Sequence, residues 1–321
     1  ISEHPERLSE VRGIGQKRAV TIADSFREQY AAREVMVFLQ SYGVTPSLSV
    51  KIANCYGERA ISVVKQNPYK LIDDIEGVGF LTADRIALSL GVREDSEYRL
   101  RAGIKYVLTD AANDTGHTYL PKDMLTERAA AMLRVPKEVT ATLLQSLLLS
   151  RELILTDLDD VEAVCLPPFH YTEIEIAARL HALMDASQTS IPDAIEKKIT
   201  DFERSHDIEF SKNQRHAVSE AISSGLIVIT GGPGTGKTTI INCIIHLLGE
   251  RVLLAAPTGR AAKRMTEATG HEAKTIHRLL EYTGDAEAFQ RNEERPLDCD
   301  CVIVDEMSMV DIFLMRALLR A

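Results

Sequence analysis

The chain of 321 residues has no apolar run approaching the ~18 residues that a membrane span needs, and no secretory signal peptide. No membrane-spanning helix is therefore expected in this sequence. It is also poor in paired cysteine. Of Cys55, Cys165, Cys243, Cys299 and Cys301, only the last two are close together, and C-D-C alone lacks zinc-finger spacing. They read as reduced thiols of a cytoplasmic protein, with an adventitious metal or redox pair at Cys299 and Cys301 as the alternative. Positive charge is short as well: 37 Lys and Arg stand against 47 Asp and Glu, for a net charge of −10. Small DNA-binding domains are usually basic, so bulk charge leans away from nucleic acid. Phosphate contacts are local, however, so local basic or glycine-rich sites are what matter. Residue 1 is Ile and not Met, so the chain is expected to begin inside a longer one. What is present is the composition of a soluble globular protein, 45% apolar and 26% charged, with length for two or three domains.

One small pattern occurs three times. "RGIGQKRAVTI" carries Gly13, Gly15, Ala19 and Ile22; "EGVGFLTADRI" carries Gly77, Gly79, Ala83 and Ile86. A decayed copy between them, "YGVTPSLSVKI", keeps Gly43, Thr45, Ser49 and Ile52 in phase. Spacings of 30 and 34 residues suit one or two short helices with turns. Glycine permits positive φ and close backbone approach. The unpaired N–H groups at the next helix start can then face an anion. The pattern resembles the helix-hairpin-helix motif, which holds the DNA backbone without reading bases. In the first copy Gln16, Lys17 and Arg18 follow the glycines and suit a phosphate. The copy at Gly77 and Gly79 is acidic and greasy around its turn, so contact is less expected there. The copy at Gly43 reads as a packing turn.

From about Leu100 to Ser187 the order is three helices and then a strand pair, "ELILTD" and "EAVCLPPFHYT", joined by a turn at Leu158, Asp159 and Asp160. That is the order of a winged-helix domain. The strand pair has few basic residues, which favours a connector over a DNA reader. His117, His170 and His181 lack metal spacing and read as structural or surface residues.

"LIVITGGPGTGKTTIINCIIHLL" is the most specific stretch. A short apolar strand, Leu226 to Thr230, is expected to run into Gly231-x4-Gly236-Lys237-Thr238 and then a helix, the P-loop pattern in its proper context. The candidate ATP-binding residues are Gln214, Gly231, Gly232, Gly234, Thr235, Gly236, Lys237, Thr238 and Thr239. Glycines let successive N–H groups face the phosphates, Lys237 would bridge the β- and γ-phosphates, and Thr238 would bind Mg²⁺. Asp305 and Glu306 end the apolar run "VIVD". They are expected to hold Mg²⁺ through water and to activate the attacking water, respectively. A Gln side chain such as Gln214 can bond adenine at N6 and N7.

"FSKNQRHAV", "GGPGTGKTT", "APTGRAAKR", "TIHRLL" and "VIVDEMSMVD" together resemble the Q motif and motifs I, Ia, Ib and II of superfamily 1 DNA helicases of the RecD type, over residues 205–321. Hairpin repeats at the N-terminus are similar to the stand-alone RecD-like branch. The resemblance implies an ATP-driven motor moving 5′→3′ on single-stranded DNA, in repair or recombination. It places Gln214 on adenine, and Lys237, Thr238, Asp305 and Glu306 on phosphates, magnesium and water. Pro257, Thr258 and His277 are placed on the strand path. Arg260 fits either that path or a solvated helix start. Residues 281–298 lie where the family carries a duplex-splitting pin, and a polar loop is the other reading.

The expected fold is multidomain. Helix-hairpin-helix repeats occupy 1–97, a winged-helix-like connector 98–195, and an incomplete RecA-like α/β lobe with a parallel sheet 196–321. Fifteen residues follow Glu306, so a fragment is expected, without a second motor lobe and with an unpaired sheet edge. Two function classes remain open. One is the N-terminal part of a helicase using ATP and Mg²⁺ on single-stranded DNA and duplex junctions. The other is a nucleotide-gated DNA- or junction-binding module with little turnover. An AAA+ clamp or branch-migration motor fits "APTGRAAKR" and the upstream Gln less well.

Overall fold

The computed structural model describes residues 15–186, 193–232, 234–249, 251–284 and 288–321. The chain divides into two compact units, Ile1–Pro167 and Pro168–Ala321. The expected repeats and connector both fall in the first unit, apart from the connector's last residues, and the α/β lobe falls in the second.

The first unit opens with α1 (Gln16–Ser41), α2 (Pro46–Tyr56), α3 (Ala60–Gln66), α4 (Lys70–Asp74) and α5 (Phe80–Ser89). The α1–α2 turn is built from a stop and a start with almost nothing between. Gly43 takes φ +76°, a left-handed conformation that costs a Cβ-bearing residue about 1–2 kcal/mol. There it lets Val44 N–H reach Leu39 O (3.1 Å) and its own N–H reach Gln40 O (3.0 Å), closing the helix end. Two residues on, the Thr45 hydroxyl accepts from Leu48 N–H and Pro46 opens α2. Gly77, at φ +84°, makes the matching turn between α4 and α5. The copy at residue 43 is thus a complete hairpin despite its missing second glycine.

Next come α6 (Glu97–Thr115), β1 (Leu120–Pro121), α7 (Lys122–Leu133), α8 (Lys137–Leu149), β2 (Ile154–Leu158) and β3 (Val161–Cys165). The strands form an antiparallel sheet in the order β1-β3-β2. Asp159 and Asp160 both take positive φ, as a two-residue hairpin turn demands. One core runs from Val35 and Leu39 through Ile86 and Ile104 to Leu147 and Val164, so the hairpins and the winged-helix-like part share it. The second strand is shorter than expected. It ends at Cys165, and "PPFHYT" instead starts a helix. Two prolines lack N–H groups that a first helical turn does not use, whereas a sheet ladder would need them.

The second unit holds α9 (Pro167–Ala186), α10 (Asp193–His206), α11 (Lys212–Ser223), α12 (Lys237–Leu248), β4 (Val252–Ala256), α13 (Gly259–Thr269), β5 (Ala273–Thr275), α14 (Ile276–Leu279), β6 (Tyr282–Thr283), β7 (Ala288–Phe289), β8 (Cys301–Val304) and α15 (Ile312–Arg320). The parallel sheet runs β5-β4-β8, with Leu254 opposite Ala273 on one side and Ile303 on the other. Among the described strands β8 is bonded along one edge only. The strand expected at Leu226–Thr230 is not formed, and Val228 is 79% exposed. An apolar run becomes a strand only where another strand can take its hydrogen bonds, and no described strand pairs with this one. Its Ile229 still packs with Ile240 and Ile244 of α12. Tyr282–Thr283 (β6) pairs antiparallel with Ala288–Phe289 (β7), within the segment for which a pin and a polar loop were the two readings.

Candidate nucleotide and nucleic-acid sites

The loop from Gly231 to Gly236 leads into α12, whose first residue is Lys237. Gly234 and Gly236 take φ +74° and +82°. A Cβ on Gly231 would meet Thr235 Oγ1 at 2.7 Å, and one on Gly236 would meet Gln214 Nε2 at 2.6 Å. A side chain at Gly236 would be strained by the positive φ and would displace the Gln214 amide, and one at Gly231 would have to move the Thr235 hydroxyl. Lys237 Nζ turns back and donates to Gly231 O (2.6 Å) and Gly232 O (2.8 Å). Thr238 is exposed beside it.

Gln214 reaches this loop from α11. It completes a capping box with Ser211, accepting from Ser211 N–H at 2.8 Å, and donates from Nε2 to Thr235 O at 3.0 Å. One amide N–H and one lone pair of Oε1 remain for another partner. Its neighbour Arg215 pairs with Glu196 (3.0 Å) and with buried Glu203, which also accepts from Phe210 N–H at 2.7 Å. This anchoring pair gives no motif signal and was missed in the sequence.

Asp305 and Glu306 follow β8 at its C-terminal end, the end of a parallel sheet where ligands gather. Asp305 N–H bonds Ala255 O at 3.0 Å, and Glu306 N–H bonds Asp305 Oδ1 at 2.8 Å. Glu306 holds φ +56°, uncommon for a residue with a side chain. Its carboxylate meets Arg264 Nη1 of α13 at 3.5 Å. Of the other expected residues, Thr258 caps α13 by accepting from Ala261 N–H (3.2 Å). Pro257 is half-buried before it, and Arg260 is exposed. His277, exposed on α14, meets Tyr282 edge-on (5.4 Å) and Phe289 (5.8 Å) of the small hairpin.

In the first unit Gly13 lies outside the described residues; Gly15, Lys17 and Arg18 are exposed at the start of α1. The turns at Gly43 and Gly77 line one cavity of about 270 Å³, with Lys51 and Arg85 on its wall. The two cations stand eight residues after Gly43 and Gly77, so the 34-residue offset of the turns is also theirs. The elements cross-brace: Lys51 Nζ donates to Glu76 O (3.2 Å), and Ser89 Oγ to Tyr42 O (3.5 Å). Lys51 and Arg85 were not singled out in the sequence. The signal was there, a basic residue before the Ile of both later copies. Gly79 starts α5 without a side-chain cap.

A glycine-rich loop opening a helix, in one unit with a parallel sheet that ends in an acidic pair, has the parts of a P-loop lobe, and the other unit carries paired helix-hairpin-helix turns. Comparison with known proteins makes this specific. A family model described as "ATP-dependent RecD2 DNA helicase HHH domain" matches residues 28–119, and one described as "AAA domain" matches 214–321. The chain is 30% identical to the ATP-dependent RecD2 DNA helicase of Deinococcus radiodurans over 340 aligned residues, 100% of this chain and 46% of that protein. It is 32% identical to the RecBCD enzyme subunit RecD of Mycobacterium tuberculosis over 74% of this chain and 42% of that one. It is 40% identical to the same subunit of Mycolicibacterium smegmatis over 34% of this chain and 25% of that one. The chain belongs to the RecD-like DNA helicases, and spans about half or less of the length of these relatives.

Proposed function

We propose that the chain supplies the DNA-holding front end and first motor lobe of an ATP-dependent 5′→3′ helicase. It would act on single-stranded DNA and duplex junctions in the cytoplasm, in repair or recombination. The domains are repeats at 1–97, connector at 98–195 and motor lobe at 196–321. The observation that carries the reading is the Gly231–Gly236 loop opening α12, with the Asp305–Glu306 pair at the C-terminal end of β8, whose Ile303 packs with Ile240 and Ile244 of α12. In this reading the loop N–H groups and Lys237 hold the phosphates, and Gln214 offers its spare N–H and lone pair to adenine. The Thr238 hydroxyl and Asp305 carboxylate are hard oxygen donors and suit Mg²⁺, which would offset phosphate charge when bound. Glu306 takes the proton of the attacking water. Pro257, Thr258, Arg260 and His277 border the strand path.

ATP turnover with and without single-stranded DNA, compared between this chain and a version extended through a second RecA-like lobe, tests this. The chain alone is expected to turn over ATP weakly or not at all, and DNA-stimulated turnover only in the extended version supports the motor reading. Comparable DNA-stimulated turnover by this chain alone would overturn it, and tight ATP and DNA binding with little turnover even in the extended version would favour the nucleotide-gated binding module. Arg264 joins the candidate strand path to Glu306, so Arg264→Ala is expected to raise DNA-free turnover. An exposed pair is worth ~0–1 kcal/mol, hence up to about fivefold. An unchanged rate would make the pairing incidental.

For duplex binding, Lys51→Glu with Arg85→Glu is expected to lower affinity and flatten its salt dependence. The slope should fall by roughly 2, near 0.9 for each phosphate that is no longer neutralised. Lys17→Glu with Arg18→Glu is the parallel measurement. If only that pair changes the slope, the duplex is held at the first hairpin and not between the turns at Gly43 and Gly77.

A further inference from the structure

A second cavity of the first unit borders the Gly77 turn. It measures about 870 Å³ and is bordered by α4, the Val78–Phe80 end of the second turn, and α6. That is within the ~300–1,000 Å³ of pockets that enclose a small organic ligand. One face of α6 lines it, from Tyr98 through Lys105 and Tyr106 to Asn113. Phe80 covers one face of the half-buried Tyr106 ring (5.1 Å between centroids, 24°), and Phe80 stacks in turn near Tyr69 (5.9 Å, 22°). Tyr98 is 51% exposed at the rim.

The charges on this wall argue about the ligand. Lys105 and Arg101 both donate to Glu152, at 2.6 and 2.5 Å. Burial works against the charge on Glu152, but hydrogen bonds from Lys105, Arg101 and Ser150 hold its carboxyl down at about 2. Arg101 also pairs with Glu97 (2.9 Å) and Lys70 with Asp74 (3.8 Å), and the lining balances Lys70, Arg101 and Lys105 with Asp73, Glu97 and Glu152, so the cavity does not favour a phosphate or an acidic peptide. Aromatic faces with amide and hydroxyl groups instead suit a flat, uncharged ring with hydrogen-bonding edges.

We propose that this cavity receives an unstacked nucleobase of single-stranded DNA, laid against Tyr106 and Tyr98 with its edge toward Asn113. The proposal rests on the reading of the chain as a single-strand-acting DNA protein. Position supports it: Val78 and Gly79 on the cavity wall belong to the turn whose Gly77 lines the cavity of Lys51 and Arg85. A strand whose backbone lies at those cations has its following bases one turn away. A base inside a duplex is stacked and cannot enter, which makes the site selective for single strands or frayed ends.

The test uses the full chain and an oligothymidylate carrying 5-iodouracil, with blunt duplex as the control. Photo-crosslinks are expected on the peptide carrying Tyr98 and Tyr106. Tyr106→Ala should weaken single-strand binding about tenfold, within the ~1–3 kcal/mol of a stacked base. Tyr106→Phe should restore it, and duplex binding should hold. Because Tyr106 also packs on Phe80, the exposed Tyr98→Ala serves as a second variant, expected to weaken the same binding a fewfold. Crosslinks confined to 257–282, with Tyr98→Ala and Tyr106→Ala binding like the parent, would overturn the proposal and leave the motor reading standing. A parent chain that binds no single-stranded DNA would overturn both.

Discussion

Lys237→Ala is expected to weaken ATP binding about 10- to 100-fold and to lower turnover by ~10²-fold or more. The affinity figure is the ~1.5–3 kcal/mol of hydrogen bonds made to a charged group. The turnover figure is that of removing one donor aimed at developing negative charge. Lys237 Nζ now bonds two carbonyls of its own loop, Gly231 and Gly232. Phosphate oxygens would replace those neutral acceptors with charged ones, so the lysine gains more from the ligand than it gives up. Alanine loses that gain and also unties the loop. Glu306→Gln separates binding from chemistry, since it keeps the side-chain shape but removes the base. Affinity should stay near that of the parent while turnover falls. Displacement of a fluorescent nucleotide and phosphate release read the two effects. Unchanged ATP affinity in Lys237→Ala would sink the P-loop assignment.

The places of these residues were legible because their backbone demands are local. Gly231, Gly234 and Gly236 are set by the turn they make, and Asp305–Glu306 by an apolar run ending in acid. The hairpin turns were legible as a repeat, but flanking charge ranks them for DNA contact and says nothing of which turns pair. Lys51 and Arg85 sit eight residues past their glycines, and only the folded pairing of α2 with the Gly77 turn brings them to one cavity. Arg264 and Glu306 are 42 residues apart and meet because β4 and β8 are neighbours. The run Leu226–Thr230 misled for a different reason. Periodicity and apolarity report what a segment can bury, and not whether a neighbouring strand will take its hydrogen bonds. At Pro167 and Pro168 the apolar pattern masked a helix start that the prolines themselves announce.

Asp84→Ala is expected to be the most destabilising single change in the first unit, by ~3–5 kcal/mol, because it strands a buried charge. That compares with a total of ~5–15 kcal/mol for a typical domain. Arg99, on α6, bonds both oxygens of Asp84 on α5, Nε to Oδ1 at 2.9 Å and Nη2 to Oδ2 at 3.2 Å. Its Nη1 is held by Glu94 O (2.9 Å) and Leu133 O (3.2 Å), and the Tyr69 hydroxyl donates to Asp84 Oδ1 at 2.6 Å. Alanine leaves the guanidinium with carbonyls alone and the tyrosine hydroxyl without its acceptor. Asp84→Asn keeps the shape and an acceptor for Tyr69, so it should cost less. Replacing both partners, Asp84→Leu with Arg99→Met, should recover much of the stability, because no charge is then buried. Urea midpoints of the parent and these three variants measure this, and equal destabilisation in Asp84→Ala and the double variant would refute the stranded-charge account. The consequence reaches both cavities proposed to meet DNA. Asp84 is the neighbour of Arg85 in the paired-turn cavity, and Arg99 the neighbour of Tyr98 at the rim of the other. The pair therefore fixes α5 to α6 at the point where both walls are set. Asp84→Ala should weaken duplex and single-strand binding together, as should Lys51→Glu with Arg85→Glu, whereas Tyr98→Ala should weaken single-strand binding alone.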